Sequence, residues 1–308
     1  MPPDEGAGLV FVAGALHHDV VVRAERLPML DETLPGSQVS YIFGGKGGNQ
    51  AVAARRAGAR VAMAGAVGDD EAGRFLRARL TDAGIDHAQV KSLAGVRSGM
   101  SVAIVDSRGD YGAVIVSGAN RLIEAADVTL PEETAVLLLQ NEIPDAVNLA
   151  LAQKARRGGA LVMLNAAPVR SMPEGLAGSL DILVVNSLEA QQLAGEAVAG
   201  ENTAVSHGYA WVRHEVMQRA SRLLRRHSAR AIVVTLGGDG VVFVEASGAP
   251  VHVAAPKVDV VSTHGAGDVF CGTLAAMLAR GNSLSEAIDR AMERASRHVA
   301  HRSQEDGW

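Results

Sequence analysis

The sequence predicts an α/β fold in which a mostly parallel sheet is covered by helices on both faces. Short runs of β-branched and other apolar residues recur along the chain and alternate with segments of helical periodicity. Several runs are apolar at nearly every position, which is typical of strands buried on both faces. Two segments, 19–43 and 98–117, interrupt the alternation, because they hold strand formers with Gly and Asp but no clear helical pattern.

The predicted strands are the apolar runs 9–12, 61–64, 102–105, 136–139, 161–164, 182–185, 232–234 and 241–244. Helices are predicted over 50–57, 71–83, 146–157, 211–227, 269–279 and 284–299, where apolar residues recur at helical spacing. The two interrupting segments predict antiparallel strands set apart from the main sheet, as a small lid. Because no Pro/Ser linker and no repeat divides the sequence, we expect one domain over 1–308, with lid segments at about 17–43 and 97–118.

Composition narrows the class of protein. Of the 308 residues, 48% are apolar and 20% are charged, which is enough apolar material for a large core and argues against disorder. The net charge of −5 and the 3% of aromatic residues predict no nucleic-acid partner and no membrane partner. The acidic start, the lack of a long apolar run and the single cysteine, Cys271, indicate a cytoplasmic protein in a reducing compartment.

The most informative segment lies directly before the predicted helix 269–279. Gly265, Ala266 and Gly267 would leave backbone N–H groups unobstructed at a helix N-terminus, where the helix dipole favours an anion. Asp268 beside them would repel a resting phosphate, so its place suits a base that deprotonates a hydroxyl attacking phosphorus. An ordinary helix N-cap is the alternative.

A second glycine-rich segment, 44–51, also leads into a predicted helix. It is not a Walker A loop, because Gly47 follows Lys46 where Ser or Thr is needed and position 40 is Ser. It is not a dinucleotide fingerprint either, because it follows the lid segment and not a core strand. Its glycines would let the backbone approach a small polar ligand, with Lys46 and Asn49 as donors to hydroxyls. A plain flexible turn is the alternative.

Polar residues also follow two predicted core strands. Asn186 and Glu189 come after strand 182–185 and share one face of a helical turn, which suits a magnesium ion with its waters. Residues 235–240 form a glycine-rich turn open enough for a nucleotide. An N-capped helix and a simple hairpin are the respective alternatives.

A polar pair follows the first predicted strand. In extended chain, His17 and Asp19 face the same side and His18 the other. The adjacent histidines are therefore poorly placed to share one metal ion, whereas His17 and Asp19 together suit hydrogen bonds to a polyol.

Taken together, these segments resemble the ribokinase-like (PfkB-type) carbohydrate kinase family, in the same order and over essentially the whole chain. Residues 44–51 with Gly58 and Gly68 resemble one family signature, and 262–268 with Gly272 resemble the other. Residues 65–70 with Gly73 resemble a further family segment. The resemblance implies a Rossmann-like three-layer α/β/α sandwich with a mostly parallel central sheet and a small β-lid, often dimerised through the lid.

The resemblance also implies a role for each motif. Asp268 would be the catalytic base, and the backbone of Gly265, Ala266 and Gly267 the anion hole. The acceptor sugar would be held by His17, Asp19, Gly45, Lys46, Asn49, Glu142 and Asp268. ATP would lie along Asn186, Thr235, Gly237, Gly238, Gly240 and Gly267, and Glu189 would order Mg²⁺ through water.

The implied activity is ATP-dependent phosphorylation of a hydroxymethyl group on a small sugar, and segment 44–54 is most similar to the branch of the family that acts on ribose. Another sugar, a sugar acid or a nucleoside is the alternative acceptor. A nucleoside would need an apolar wall, for which Tyr41, Phe43 and Met100 are candidates, although packing of the lid core is the simpler use of them. A non-catalytic sugar-binding protein is less favoured, because Asp268 and its glycine turn are intact.

Three departures from the family pattern matter. His17 stands where the ribose-specific branch has Asn, which makes ribose a less secure choice of acceptor. Ser262 stands where that branch usually has an Asp that helps to bind an activating potassium ion, and residues 301–304 match its cation loop poorly. Ser supplies no anionic oxygen, and His264 and Arg302 add positive charge nearby. Weak or absent activation by potassium is therefore expected.

Overall fold

The computed structural model describes residues 8–108, 111–196, 203–227 and 229–300. Nine strands form the main sheet: β1 (Leu9–Ala13), β4 (Arg60–Gly68), β5 (Asp86–Leu93), β8 (Thr134–Gln140), β9 (Leu161–Asn165), β10 (Ile182–Asn186), β11 (Ala231–Thr235), β12 (Val241–Glu245) and β13 (Val251–Val253). Four strands form a second, smaller sheet: β2 (His17–Arg23), β3 (Gln38–Gly44), β6 (Gly99–Val105) and β7 (Tyr111–Val116).

Seven α-helices complete the described chain: α1 (Lys46–Arg56), α2 (Glu71–Asp82), α3 (Asp145–Arg157), α4 (Ser187–Leu193), α5 (Thr203–His227), α6 (Ala266–Ala279) and α7 (Leu284–Ala300). Two apolar clusters fill the space between helices and sheet. One cluster joins α1, α2, α6 and α7 to one face, and the other joins α3, α4 and α5 to the opposite face. The predicted three-layer α/β/α sandwich is confirmed.

The main sheet has the order β13-β12-β11-β10-β9-β8-β1-β4-β5, and every pair from β5 to β11 is parallel. From β1 the chain first builds outward through β4 and β5, then returns to the other side of β1 at β8. The space between β1 and β8 is therefore a topological switch point, where open α/β sheets bind their ligands beyond the carboxyl ends of the strands.

The small sheet lies within the two predicted lid segments, but one detail of the prediction is wrong. The outer pairs β2–β3 and β6–β7 are antiparallel as expected, whereas the central pair β2–β6 is parallel. The reason is topological. β2 follows the end of β1 and β6 follows the end of β5, so both leave the same edge of the main sheet in the same direction.

Two strands and several boundaries also differ from the prediction. β5 and β13 were not expected, because both lie at sheet edges and carry polar side chains among the apolar ones. α5 begins at Thr203 instead of residue 211. α1 begins at Lys46 instead of residue 50, so the glycine-rich segment is itself the first turn of the helix. α6 likewise begins at Ala266.

Close contact between α1 and α6 brings the two glycine-rich segments together. A Cβ on Gly272 of α6 would lie 2.3 Å from the carbonyl oxygen of Gln50 in α1. Glycine at this position therefore lets the two helix backbones touch. The first turns of α1 and α6 consequently lie side by side above the switch point.

Asn120 attaches the small sheet to the main sheet. Its side chain is fully buried, accepts a hydrogen bond from the Leu16 N–H at 3.0 Å and donates one to the Leu16 carbonyl at 2.8 Å. Leu16 lies in the connection between β1 and β2, and Asn120 follows β7.

Among the described residues, no helix has both the length and the apolar composition needed to cross a bilayer.

Candidate active site

The predicted site residues collect at the carboxyl edge of the parallel strands. Glu142 follows β8, Asn186 ends β10 and Thr235 ends β11. Lys46 and Asn49 lie in the first turn of α1, and Asp268 lies in the first turn of α6. Residues that are far apart in the sequence, such as Lys46 and Asp268, therefore face one region of the molecule.

Asp268 is a buried carboxylate held by two amides of α1. Its Oδ2 accepts a hydrogen bond from Asn49 Nδ2 at 3.2 Å, and its Oδ1 accepts one from Gln50 Nε2 at 2.9 Å. The side chain is 7% exposed. A carboxylate has about four acceptor positions, so further lone pairs remain after these two bonds.

Beside Asp268, the N-terminus of α6 presents backbone donors. Gly265 is the N-cap residue and has φ 72°, a left-handed conformation that favours glycine. The N–H of Ala266 is already used, because it donates to the Thr263 carbonyl at 3.3 Å. Within the described chain the N–H groups of Gly265 and Gly267 have no such partner, and beyond its chain neighbours and its own helix backbone no atom lies within 4 Å of where a Gly267 side chain would begin.

Lys46 is the cation of this region. Burial works against its charged form, but the nearby carboxylates of Asp268, Glu142 and Glu189 outweigh burial and raise the Lys46 pKa. Its backbone N–H also donates to Glu142 Oε2 at 2.7 Å.

The Glu142 carboxyl is strongly affected by its surroundings. Burial raises its pKa from 4.5 to about 7, against the opposing effect of Lys46, and the charges of Asp268 and Asp19 add to the rise. Glu142 is thus divided between its charged and neutral forms near neutral pH.

His17 and Asp19 approach the site from the small sheet. Burial lowers the pKa of His17, so its imidazole is mainly neutral at pH 7, and its Nε2 is buried without a hydrogen-bond partner. Burial raises the pKa of Asp19, although the hydrogen bond from Ser101 Oγ to its Oδ1 at 2.6 Å opposes that rise. A side chain at Gly44 would overlap the Asp19 carboxylate.

The proposed apolar wall for a nucleoside lies on the wrong face of the small sheet. His18 pairs with both Phe43 and Met100, and Tyr41 stacks on the His18 ring at 5.3 Å between centroids. Because neighbouring residues of a strand point to opposite faces, these rings lie on the face opposite Asp19. Phe43 packs against α1 in the main core and Tyr41 stacks on His18, so neither ring lines the acceptor site.

A cavity of about 290 Å³ lies at the carboxyl ends of β10 and β11. Its lining is Asn186, Ser187, Leu188, Arg213, Thr235, Leu236, Gly237 and Asp239. The predicted nucleotide residues Asn186, Thr235 and Gly237 are therefore brought together, whereas Gly238 and Gly240 are outside this lining. Gly240 is required by packing, because a Cβ there would lie 2.0 Å from the Val253 carbonyl oxygen.

Asn186 and Glu189 form a reciprocal capping box at the start of α4. The Glu189 N–H donates to Asn186 Oδ1 at 2.8 Å, and the Asn186 N–H donates to Glu189 Oε2 at 2.7 Å. The N-capped helix, which was the alternative interpretation of this pair, is therefore present. Glu189 follows Leu188, which lines the cavity. The described residues contain no cluster of three or more metal-ligating side chains, so any Mg²⁺ here would be held by water and phosphate oxygens with Glu189 nearby.

The glycines of the 44–51 segment have a packing role in the fold. Gly45, with φ 85°, caps α1 and lies against the backbone of the β1–β2 connection. Side chains at Gly47 and Gly48 would overlap Gly14 and the Phe43 ring, respectively. These glycines let α1 pack closely on its neighbours, and Lys46 and Asn49 face the site as a result of that packing.

Sequence analysis missed four residues of the site. Gln50 contacts Asp268, Ser101 contacts Asp19, Asn165 contacts Gln50 and Arg213 lines the cavity. A usable signal existed for Asn165, which is a polar residue at the end of an apolar strand.

Ser262 is exposed, and its Oγ accepts the His264 N–H at 3.3 Å. Residues 301–304, to which the expected cation loop was assigned, lie outside the described residues.

Comparison with known proteins identifies the family of this chain. The model of the pfkB family carbohydrate kinases matches residues 7–306. The ribokinase of Haemophilus influenzae is 32% identical over 282 residues, covering 90% of this chain and 87% of that protein. The mouse ribokinase is 32% identical over 288 residues, covering 92% and 85%.

A solved structure agrees as well. The structure of Arabidopsis thaliana ribokinase complexed with ribose and ATP superposes with a TM-score of 0.83 at 27% identity, covering 100% of this chain and 97% of that one. The chain belongs to the pfkB family of carbohydrate kinases and is an ATP-dependent sugar kinase.

Proposed function

We propose that this kinase transfers the γ-phosphate of ATP to a hydroxymethyl group of a ribose-like pentose, with Asp268 as the base. The observation that carries the proposal is the buried Asp268 carboxylate, held by two amides beside the open backbone donors of Gly265 and Gly267. Phosphoryl transfer to an alcohol requires a base that accepts the hydroxyl proton. It also requires donors that stabilise the charge on the phosphoryl group, and the helix terminus beside Asp268 can supply them. Similarity to ribokinases supports ribose.

In the proposed reaction, Asp268 takes the proton of the acceptor hydroxyl while the hydroxyl oxygen bonds to the γ-phosphorus. The bond from the γ-phosphorus to the β,γ-bridging oxygen breaks, and ADP leaves with that electron pair. The backbone donors of Gly265 and Gly267 stabilise the charge on the transferring group. Bound Mg²⁺, ordered through water by Glu189, would neutralise phosphate charge.

The charges around the acceptor residues favour a neutral sugar over a sugar acid. Three carboxylates, Asp19, Glu142 and Asp268, stand against the ammonium of Lys46, and His17 is mainly neutral. An acceptor carboxylate would add a fourth negative group to this buried region. The nucleoside alternative is less favoured, because Tyr41, Phe43 and Met100 lie on the far face of the lid sheet.

The proposed function is tested with a panel of pentoses, hexoses, sugar acids, polyols and nucleosides, each with ATP and Mg²⁺, scored by ADP release. D-Ribose should give the highest kcat/KM.

Asp268→Ala should lower kcat by roughly 10²–10⁴-fold, because general-base assistance is lost. Thr273→Val, a buried change one turn along α6, is the control. Turnover retained by a folded Asp268→Ala protein would contradict the assignment, and a sugar acid or nucleoside as best acceptor would replace ribose.

The raised pKa of Glu142 predicts a pH-dependent stability difference. The folded carboxyl binds its proton more tightly than the unfolded one, so the wild type loses stability as pH rises from 4.5 to about 7. Glu142→Gln cannot titrate. Its free energy of unfolding relative to wild type should therefore increase over that window, by at most about 3 kcal/mol. Urea denaturation at pH 4.5 and 8 measures this, with the exposed Glu245→Gln as control. If the free energy of unfolding of Glu142→Gln relative to wild type were the same at both pH values, the raised pKa of Glu142 would be refuted.

We propose that potassium activates this kinase weakly or not at all. Ser262 has no anionic oxygen, and its hydroxyl accepts the His264 N–H. Activity in potassium should differ little from activity in tetramethylammonium at equal ionic strength. Ser262→Asp is the matched variant, and the added carboxylate should increase the response to potassium. A many-fold gain of the wild type in potassium would contradict this proposal.

We also propose that two copies of the chain pair through the lid. The face opposite Asp19 exposes five apolar side chains on β3, β6 and β7 of the four-stranded sheet: Val39, Tyr41, Val102, Val114 and Val116. Such a contiguous patch is typical of an interaction surface, and a self-complementary face forms a two-fold dimer. Sedimentation equilibrium should give about twice the 31.9 kDa chain mass. Val114→Lys should yield monomers, whereas Val260→Lys, an exposed valine outside the lid, should not. A monomeric wild type would exclude the dimer.

A further inference from the structure

Gln50, one of the two amides that hold Asp268, belongs to a longer chain of buried amides behind the proposed base. Gln50 Nε2 donates to Asp268 Oδ1 at 2.9 Å and also to Asn165 Oδ1 at 3.0 Å. Gln50 Oε1 accepts from Gln140 Nε2 at 2.9 Å. Gln50 and Gln140 are fully buried and Asn165 is 8% exposed, so all three amides are largely removed from water.

The main chain fixes the direction of these hydrogen bonds. Asn165 Nδ2 donates to the Val184 carbonyl at 3.3 Å. A carbonyl can only accept, so Asn165 must present its oxygen to Gln50, and Gln50 must present its NH₂ group to both Asn165 and Asp268. The NH₂ group of Gln50 has two hydrogens, and both are used. The orientation of the Gln50 amide group is therefore fixed by its hydrogen bond to Asn165 in the main sheet.

The supporting residues sit on rigid elements. Gln140 and Asn165 end the neighbouring parallel strands β8 and β9, where they are register partners. Gly14 leaves room for Gln140, because a Cβ there would lie 2.0 Å from Gln140 Oε1. Gln50 thus links the ends of two central strands to the carboxylate on α6.

Stability alone does not account for these amides. Gln140 Oε1 is buried without a hydrogen-bond partner, and leaving such an atom unpaired costs free energy. An apolar side chain would fill the same space without that cost. What the amides provide is a fixed donor at one oxygen of the Asp268 carboxylate.

We propose that Gln50 is a positioning residue, which holds the Asp268 carboxylate in the orientation that receives the proton of the acceptor hydroxyl, and that Gln140 acts through Gln50. This inference rests on the proposed role of Asp268 as the base. Small displacements of a reacting group lower the rate of the chemical step much more than they weaken substrate binding. The loss of Gln50 should therefore appear in kcat.

The test compares Gln50→Met, Gln140→Met and the double variant, since Met has a similar shape without a donor. Gln50→Met should lower kcat by roughly 10–100-fold, with the KM values of sugar and ATP changed by less than about threefold. Gln140→Met should lower kcat by a smaller factor, because the donor to Asp268 remains. The double variant should be no slower than Gln50→Met, because Gln140 has no separate effect.

Thermal unfolding of each variant and the Thr273→Val control separates positioning from general destabilisation. If Gln50→Met does not fold, the proposal is tested with Gln140→Met alone. A lower kcat of Gln140→Met at unchanged KM supports the proposal. Unchanged kcat in folded Gln50→Met, or factors that multiply in the double variant, would overturn it. An inactive Asp268→Ala with a fully active Gln50→Met would refute positioning alone, whereas an active Asp268→Ala would refute the base and the positioning together.

Discussion

The architecture of the site depends on accommodating one carboxylate, that of Asp268, inside the protein. Burying a charge is costly unless donors and an opposite charge surround it. Asp268 obtains its donors from two consecutive residues of α1, and the N-terminus of α6 adds the field of the helix dipole. These contacts require the two helices to touch, which Gly272 permits. The contact between the two glycine-rich helix starts thus supplies the donors that a buried carboxylate needs.

The charged groups around Asp268 also affect one another's pKa values. Lys46 keeps its proton because carboxylates surround it, and those carboxylates are in turn tolerated because Lys46 is present. Glu142 has the most strongly raised pKa of the group, since burial and two negative neighbours act on it together. Removing any one member changes the ionisation of the others, so these groups are better regarded as a coupled set than as separate contacts.

Sequence patterns were most reliable where a local signal exists. Buried parallel strands are apolar at nearly every position, and helix starts are marked by glycine, so the layers and the positions of Lys46 and Asp268 could be predicted. The parallel pairing of the two central lid strands depends on where distant connections leave the main sheet, which no local pattern encodes. Gln50 and Ser101 were missed because a single amide or hydroxyl gains its meaning from a partner far away in the sequence.

Gly45 alone separates strand β3 of the small sheet from helix α1. His17 and Asp19 are mounted on that sheet, whereas Lys46 and Asn49 are mounted on the body of the protein. A ligand that contacted both pairs would link the small sheet to the body of the protein and oppose their separation, in addition to the hydrogen bonds between Asn120 and Leu16.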